Sequence, residues 1–317
     1  MSEFFTFNVG TRLTFTGLKA SWNDVISVNP QLSEVNLNSK ALTTTVSIKL
    51  RPSKRVQINT VLSSGFRNPN IDDIGKIREN NGLLVVPNTF LKPEYAYNLD
   101  LGFDFRSLNN TNFISLRGFS TIISRHIGRD EYVVFSDITT PDLSTIIYNG
   151  EEVTTISNKN LGNRFIHGFS IDGFSKIMSN LKLDYALTYT RGDNNDTYGP
   201  LPSISPLFGS IALSYSKRGL NLRAVYKFSE AKNPSEYSFG GEDGLDETPF
   251  IVNSEGLLTY LGTPKWSDLS IYGSKNISSN VTLRIGLTNV FDSHYRTFAS
   301  GISAPGRSFQ VGLNLKL

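Results

Sequence analysis

Three histidines, His126, His167 and His294, are the side chains of this sequence best suited to a metal, and it contains no cysteine. An imidazole serves a metal or a haem iron only where it faces an accessible cavity. Without thiols there are no disulfides, thiolate nucleophiles or Cys-ligated zinc or iron–sulfur sites. Arg67 and Arg296 carry guanidinium groups, the side chain that recognises carboxylates through paired hydrogen bonds. The acids Glu236, Glu242, Asp243, Asp246 and Glu247 are interleaved with Gly240, Gly241 and Gly244. They have the composition of a calcium loop without EF-hand spacing, and read as a solvated loop. Asp193, Asn194, Asn195 and Asp196 read as a loop tip, and Asp100 with Asp104 as a polar lining. No G-x-S-x-G, P-loop, H-E-x-x-H or G-x-G-x-x-G is present. The sequence therefore predicts no catalytic residue, no resident metal and no cofactor; its chemistry is binding.

These residues are positioned by strands. Successive side chains alternate between two faces with the period of two that a strand imposes. In 95–106, Tyr95, Tyr97, Leu99, Leu101, Phe103 and Phe105 oppose Ala96, Asn98, Asp100, Gly102, Asp104 and Arg106. In 281–288, Val281, Leu283, Ile285 and Leu287 oppose Thr282, Arg284, Gly286 and Thr288. The rule predicts an all-β chain of twelve strands, at 5–20, 40–51, 55–67, 95–107, 111–126, 162–176, 180–191, 205–217, 219–232, 265–276, 280–291 and 305–317. Connections alternate strictly between tiny turns and long loops at 21–39, 68–94, 127–161, 192–204, 233–264 and 292–304. All tight turns then lie at one end and all large loops at the other, as in an antiparallel up-and-down barrel and unlike a Greek-key sandwich.

Alternation alone does not say which face is inside. Twelve strands enclose a lumen too wide for side chains to fill. Strands of about eleven residues, tilted by about 45°, span the roughly 25 Å apolar band of an outer membrane. Phe5, Phe7, Tyr95, Tyr97, Tyr189, Phe228 and Trp266 suit an interfacial girdle, and Lys49, Asp100, Asp104, Arg117, Asp172, Asp184, Arg223 and Arg284 a wet interior. A transmembrane β-barrel is the reading, with the cell outer membrane as location and its lipid as partner. A net charge of +3 without a block of Lys or Arg gives no reason to expect nucleic acid. The residues leave open a complete twelve-stranded outer-membrane channel or translocation barrel, and a soluble β-rich binding protein.

Two motifs resemble a known family. Phe66, Arg67, Pro69 and Asn70, followed by Pro87, Asn88, Leu91, Lys92, Pro93 and Glu94, are similar to the paired loop motif (Phe-Arg-Ala-Pro, then Pro-Asn-x-x-Leu-Lys-Pro-Glu) of TonB-dependent outer-membrane receptors, closest to the haem/haemoglobin-receptor-like branch. Asn289-Val290-Phe291-Asp292-Ser293-His294-Tyr295-Arg296, with Pro305, Gly306 and Arg307 entering the last strand, resembles the C-terminal signature of that family. The resemblance implies a 22-stranded barrel closed by a plug, of which residues 1–317 would be the C-terminal part: about the last twelve strands, without plug or signal peptide. It implies uptake of an iron-bearing small molecule, siderophore or haem, energised by the TonB complex acting through the plug only. The missing partners would be that plug and the N-terminal half of the barrel, and a partial barrel would not transport alone.

The sequence departs from the family in three places. Asn68 replaces the Ala of the first motif, residues 70–86 hold no His where the haem-binding branch has one, and the chain ends in Leu317 instead of Phe. Ligand identity therefore stays open among siderophore, haem, another metal complex and oligosaccharide. Candidate ligand-binding residues are Arg67, for an anionic ligand or the plug, and His126, His294 and Arg296 near the mouth. His167 shares parity with Phe169 and Ile171 and is expected to face lipid.

Overall fold

A computed structural model describes residues 4–21, 34–133, 144–195, 199–254 and 256–316. Asp196, Leu317 and parts of the first and third long loops lie outside the described residues. Twelve strands form one antiparallel sheet in sequence order: β1 (Phe5–Ser21), β2 (Glu34–Ser53), β3 (Val56–Arg67), β4 (Glu94–Arg106), β5 (Asn112–Ser124), β6 (Arg164–Met178), β7 (Leu181–Gly192), β8 (Phe208–Lys217), β9 (Leu220–Ser229), β10 (Trp266–Asn276), β11 (Val281–Thr288) and β12 (Ser308–Leu315). All twelve strands predicted from alternation are present, and every neighbour is the next strand in the chain. The tightest turn shows why so little chain suffices. Arg218 and Gly219 both take positive φ, 50° and 74°, the geometry of a two-residue hairpin turn whose twist matches its strands.

Register settles the faces. Ile58 opposes Phe103, Phe103 opposes Leu116, Leu116 opposes Ile171 and Ile171 opposes Leu187, a continuous apolar row across five strands. One residue along, Gln57, Asp104, Ser115, Asp172, Ala186, Ser210, Lys227 and Asp268 form a polar row. Asp104 is held there by Arg117 at 2.7 Å and by Gln57. Trp266, expected in the aromatic girdle, shares its parity with Asp268 on the polar face, and its ring stacks on Tyr295 at 4.3 Å. His167 lies on the apolar face, its ring 5.3 Å from that of Phe165.

The distribution of burial inverts that of a soluble sheet. Wall residues such as Phe7, Leu13, Leu62, Leu101, Ile211 and Leu313 are bare, whereas the fully buried aliphatics Ile74, Leu84, Val86 and Ile156 sit in the long loops. A sheet in water would cover its apolar face with another layer; an outer-membrane wall leaves it to lipid.

The long loops are built, where the sequence predicted only connections. The described residues of the loops at 68–93 and 125–163 share one sheet: Leu83–Val85 runs parallel to Glu151–Asn160, which also pairs with Ile127–Glu131 and Thr145–Tyr148, while Arg78–Asn80 flanks Leu83–Val85. The second strand begins at Glu34 instead of 40 because this block supports it. Val35 and Leu37 pack with Ile74, Leu91 and Ile127, so that β1 and β2 stay paired to Ser21 and Glu34. Seventeen residues of β1 span roughly 55 Å at 3.3 Å each, so the β1–β2 ribbon stands well above a band of about 25 Å.

Candidate functional site

The first motif is the joint between wall and loops. Asn70 caps the short helix α1 (Ile71–Gly75): its side chain accepts from Asp73 N while Asp73 accepts from Asn70 N. Arg67, at the top of β3, reaches both carboxylate oxygens of Asp73, one at 2.7 Å. The Phe66 ring lies 6.1 Å from that of Tyr95. Pro69, Pro87, Asn88 and Leu91 are buried, and Asn88 donates to Asn158 O across the loop sheet. Lys92 N donates to Asn160 Oδ1, and Asn160 Nδ2 donates back to Lys92 O. Beyond Pro93, Glu94 accepts from Ile127 N and sits 3.2 Å from His126 Nδ1. His126 is only 9% exposed. The sequence places it near the mouth; the structure closes it into the loop block, because the chain turns at Arg125 (φ 56°) and residues 161–162 pair back onto its backbone.

The acidic run reads as a solvated loop, and the structure corrects this for three of its carboxylates, Glu242, Asp243 and Asp246, which are bolts between loops. Asp243 is buried, accepts from Ser203 N, and lies 3.4 Å from the equally buried Lys232. Lys232 also donates to Ile204 O and stands over the rings of Phe298, at 4.0 Å, and Tyr237, at 5.2 Å. One buried pair thus ties together the loops after β7, β9 and β11. Burial pushes the Lys232 ammonium below its ordinary pKa, against the pull of Asp243. Burial pushes the Tyr237 phenol up; that hydroxyl hydrogen-bonds Thr263. Glu242 faces Arg129 at 3.7 Å, and its burial outweighs the guanidinium to hold the carboxyl above the usual range. Asp246 accepts from Asn80 and Asn81 of the first loop block.

Among the predicted site residues, the structure brings two into one open pocket and leaves two elsewhere. His294 and Arg296 line a cavity of about 550 Å³ with Lys265, Phe250, Tyr295 and Glu247. Arg67 and His126 belong to the first loop block. The second motif closes the hairpin that carries the pocket wall. Asn289, at φ 47° and buried, donates to Ser293 O and Pro305 O and accepts from Ser293 N. Its capping ends β11 at Thr288, short of the predicted 291. Asp292 accepts from Arg307 N, and Gly306 leaves that carboxylate room: a Cβ there would lie 3.2 Å from it. His294 Nε2 lies 3.0 Å from Ser303 Oγ, and Arg296 donates to Glu247 O at 2.8 Å. Tyr295, stacked on Trp266, has its phenol pushed up by burial and by Asp268. Lys265 and Phe250 were not legible as site residues. The one signal in the sequence is that Lys265 opens the predicted strand 265–276, at its loop end.

A family model described as TonB dependent receptor-like, beta-barrel matches residues 3–290. Hemoglobin-binding protein A of Haemophilus influenzae is 25% identical over 297 residues, which cover 88% of this chain and 27% of that protein. Hemoglobin-haptoglobin utilization protein B of Neisseria meningitidis serogroup A is 25% identical over 274 residues, 79% of this chain and 31% of that protein. The chain therefore spans under a third of the length of these relatives. Among solved structures, the copper transporter OprC superposes with a TM-score of 0.73 at 19% identity, covering 100% of this chain and 46% of that one, a likeness of fold. The first is named for haemoglobin binding, the second for haemoglobin-haptoglobin utilization and the third for copper transport.

Proposed function

The chain belongs to the TonB dependent receptor-like β-barrel family, and from that membership we propose that it forms the C-terminal part of the wall, and half of the capture loops, of an outer-membrane receptor for an iron-bearing ligand. Members of the family are outer-membrane β-barrels. The observation that carries the reading is the open meander: β1 pairs only with β2, and β12 only with β11, among the described residues. Unpaired strand edges are costly in lipid. About ten further strands would complete a 22-stranded wall, and a plug inside it would take the force delivered by TonB. Relatives named for haemoglobin binding and for haemoglobin-haptoglobin utilization support an iron-bearing ligand. The polar face offers a plug the hydrogen-bonding surface of Asp104, Arg117, Asp184 and Arg223. The protein performs no chemistry on what it carries.

The test is growth on haemoglobin or a ferric siderophore as sole iron source, in strains with and without TonB. The complete receptor polypeptide should support growth only with TonB, and residues 1–317 alone should not. If the chain alone yields a heat-modifiable closed barrel that conducts ions, it is a twelve-stranded channel and the receptor reading falls.

A further inference from the structure

We propose that Lys40 and Arg125, on the lipid-facing side of the wall at its outer end, hold the phosphate groups of a phosphorylated lipid of the outer leaflet, with Phe15, Phe66 and Tyr95 against its chains. The inference rests on the placement of the wall in an outer membrane. It adds a lipid site outside the barrel, away from the path of any transported ligand.

The first observation is where charge is allowed. Along the outward parity of the twelve strands, from Phe5 on β1 to Leu315 on β12, Asp, Glu, Lys and Arg occur only near strand ends. Lys217 and Lys275 stand at the turn end. At the outer end Lys19 and Glu34 neutralise each other at 2.7 Å, which leaves Lys40 on β2 and Arg191 on β7. Arg125 follows β5 directly. Lys265 precedes β10 directly, but Glu230 offsets it, one residue beyond the pair of Ser229 with Trp266. Between β2 and β5 this face therefore carries two cations and no uncompensated acid.

Height is the second observation. Tyr95 lies ten residues up β4 from Phe105, and Lys40 ten residues up β2 from Leu50. Ten residues make about 33 Å of strand, or roughly 23 Å along the membrane normal at a tilt of about 45°. Both side chains thus reach the upper edge of an apolar band of about 25 Å, the level of the headgroups.

Aromatic rings pose the two cations. The Arg125 guanidinium stands 5.2 Å from the centre of the Tyr95 ring, and Lys40 Nζ 5.7 Å from that of Phe15. The Tyr95 hydroxyl donates to Lys40 O at 3.5 Å across β3, whose Phe66 ring lies 6.1 Å from that of Tyr95. Neither cation has an ion pair or a side-chain hydrogen bond among the described residues. A guanidinium on a ring face keeps its in-plane N–H donors, and the ammonium keeps its three. At headgroup level the acceptors that suit both are phosphate oxygens. Directly below, Leu42, Leu62, Tyr97 and Leu101 are bare, so the chains of the same lipid continue onto the wall.

The experiment measures binding of bisphosphorylated lipid A to the complete receptor in micelles of an uncharged detergent, by displacement of a fluorescent lipid A. Lys40→Gln with Arg125→Gln should weaken binding about a hundredfold, tenfold for each charged hydrogen bond lost. Removing one phosphate from the lipid should cost wild type about tenfold and the double variant little. Lys217→Gln, at the turn end, should bind as wild type does. Unchanged heat-modifiable mobility certifies that each variant folds. Undiminished binding in the double variant, or equal binding of phosphate-free lipid A to wild type, overturns the proposal. Complete displacement by millimolar inorganic phosphate overturns it too, by assigning the site to the free anion. TonB-dependent growth on haemoglobin or a ferric siderophore should not change in the double variant; a loss would put these residues on the uptake path and sink the assignment. If lipid binding ignores the substitutions while that growth persists, the lipid site falls and the receptor reading stands. If wild type neither binds lipid A nor supports growth, both fall.

Discussion

Asp243→Ala is the substitution that most directly tests whether the long loops act as one body. Lys232 and Asp243 have side chains 3% and 1% exposed, 3.4 Å apart. Removing the carboxylate leaves an ammonium buried without its counter-charge, which costs about 3–5 kcal/mol. It also orphans Ser203 N. If that cost falls on loop closure, the open fraction rises roughly a hundred- to several thousand-fold, at tenfold per 1.4 kcal/mol. The lower end applies if Lys232 sheds its proton, because burial already lowers its pKa and Asp243 is what opposes that. Hydrogen exchange in micelles reads the change directly. Segments 199–208, 230–264 and 289–300 should all exchange faster, while wall strands such as β4 stay protected. Asp243→Asn retains an acceptor for Ser203 N and should fall in between. Replacing both partners with Met should recover most of the protection, since a buried pair exchanged for apolar side chains is often neutral. Faster exchange confined to the β9–β10 loop would refute the idea of a shared bolt, and unchanged exchange would refute the energetics.

Three further substitutions test other joints. Burial raises the pKa of Glu242, so its contribution to loop docking is full below its ordinary value of 4.5 and is lost as pH rises through the raised value. Glu242→Gln should therefore tighten the 230–248 segment at pH 7 and flatten the pH dependence of its proteolysis; a looser loop would mean that the Arg129 ion pair dominates. Arg67→Ala removes the half-exposed partner of Asp73 and should cost about 1 kcal/mol, because the Asn70 cap on Asp73 remains. Nicking within 68–93 should accelerate by less than tenfold. Asn289→Ala strips three part-buried hydrogen bonds, at up to about 1–3 kcal/mol for each group left without a partner or water. It also puts a Cβ-bearing residue without a local hydrogen bond at positive φ. It should expose 289–307 to protease, and Asn289→Gly should recover only the backbone share.

What was legible in the sequence was whatever repeats with period two. Lipid on one face and water on the other force strict alternation, so all twelve wall strands could be read without a partner in view. The reading stopped short on β2, where Asn36, Asn38 and Ser39 look like loop and only the pairing of Val35 with Ala20, and its packing on Ile74, makes them strand. In the loops the pattern fails for a physical reason. Leu83–Val85 is three residues long and finds its partner some seventy residues away, in Glu151–Asn160. A three-residue strand has no period to detect.

The same limit separates the two mouth histidines. His126 and His294 both follow a strand top, and nothing local tells them apart. Glu94 and the covering chain bury one; the Asn289 turn holds the other in an open hairpin. The acids show it again, since their composition is plain in the sequence while Asp246 meets Asn80 and Asn81 about 165 residues away. In a protein whose wall is solvated by lipid, the tertiary packing that decides burial is concentrated in the loops, which is where candidate site residues also lie. For this class of chain, parity along a strand can place a side chain on a face, but only long-range loop contacts decide whether it is a bolt or a ligand-facing group.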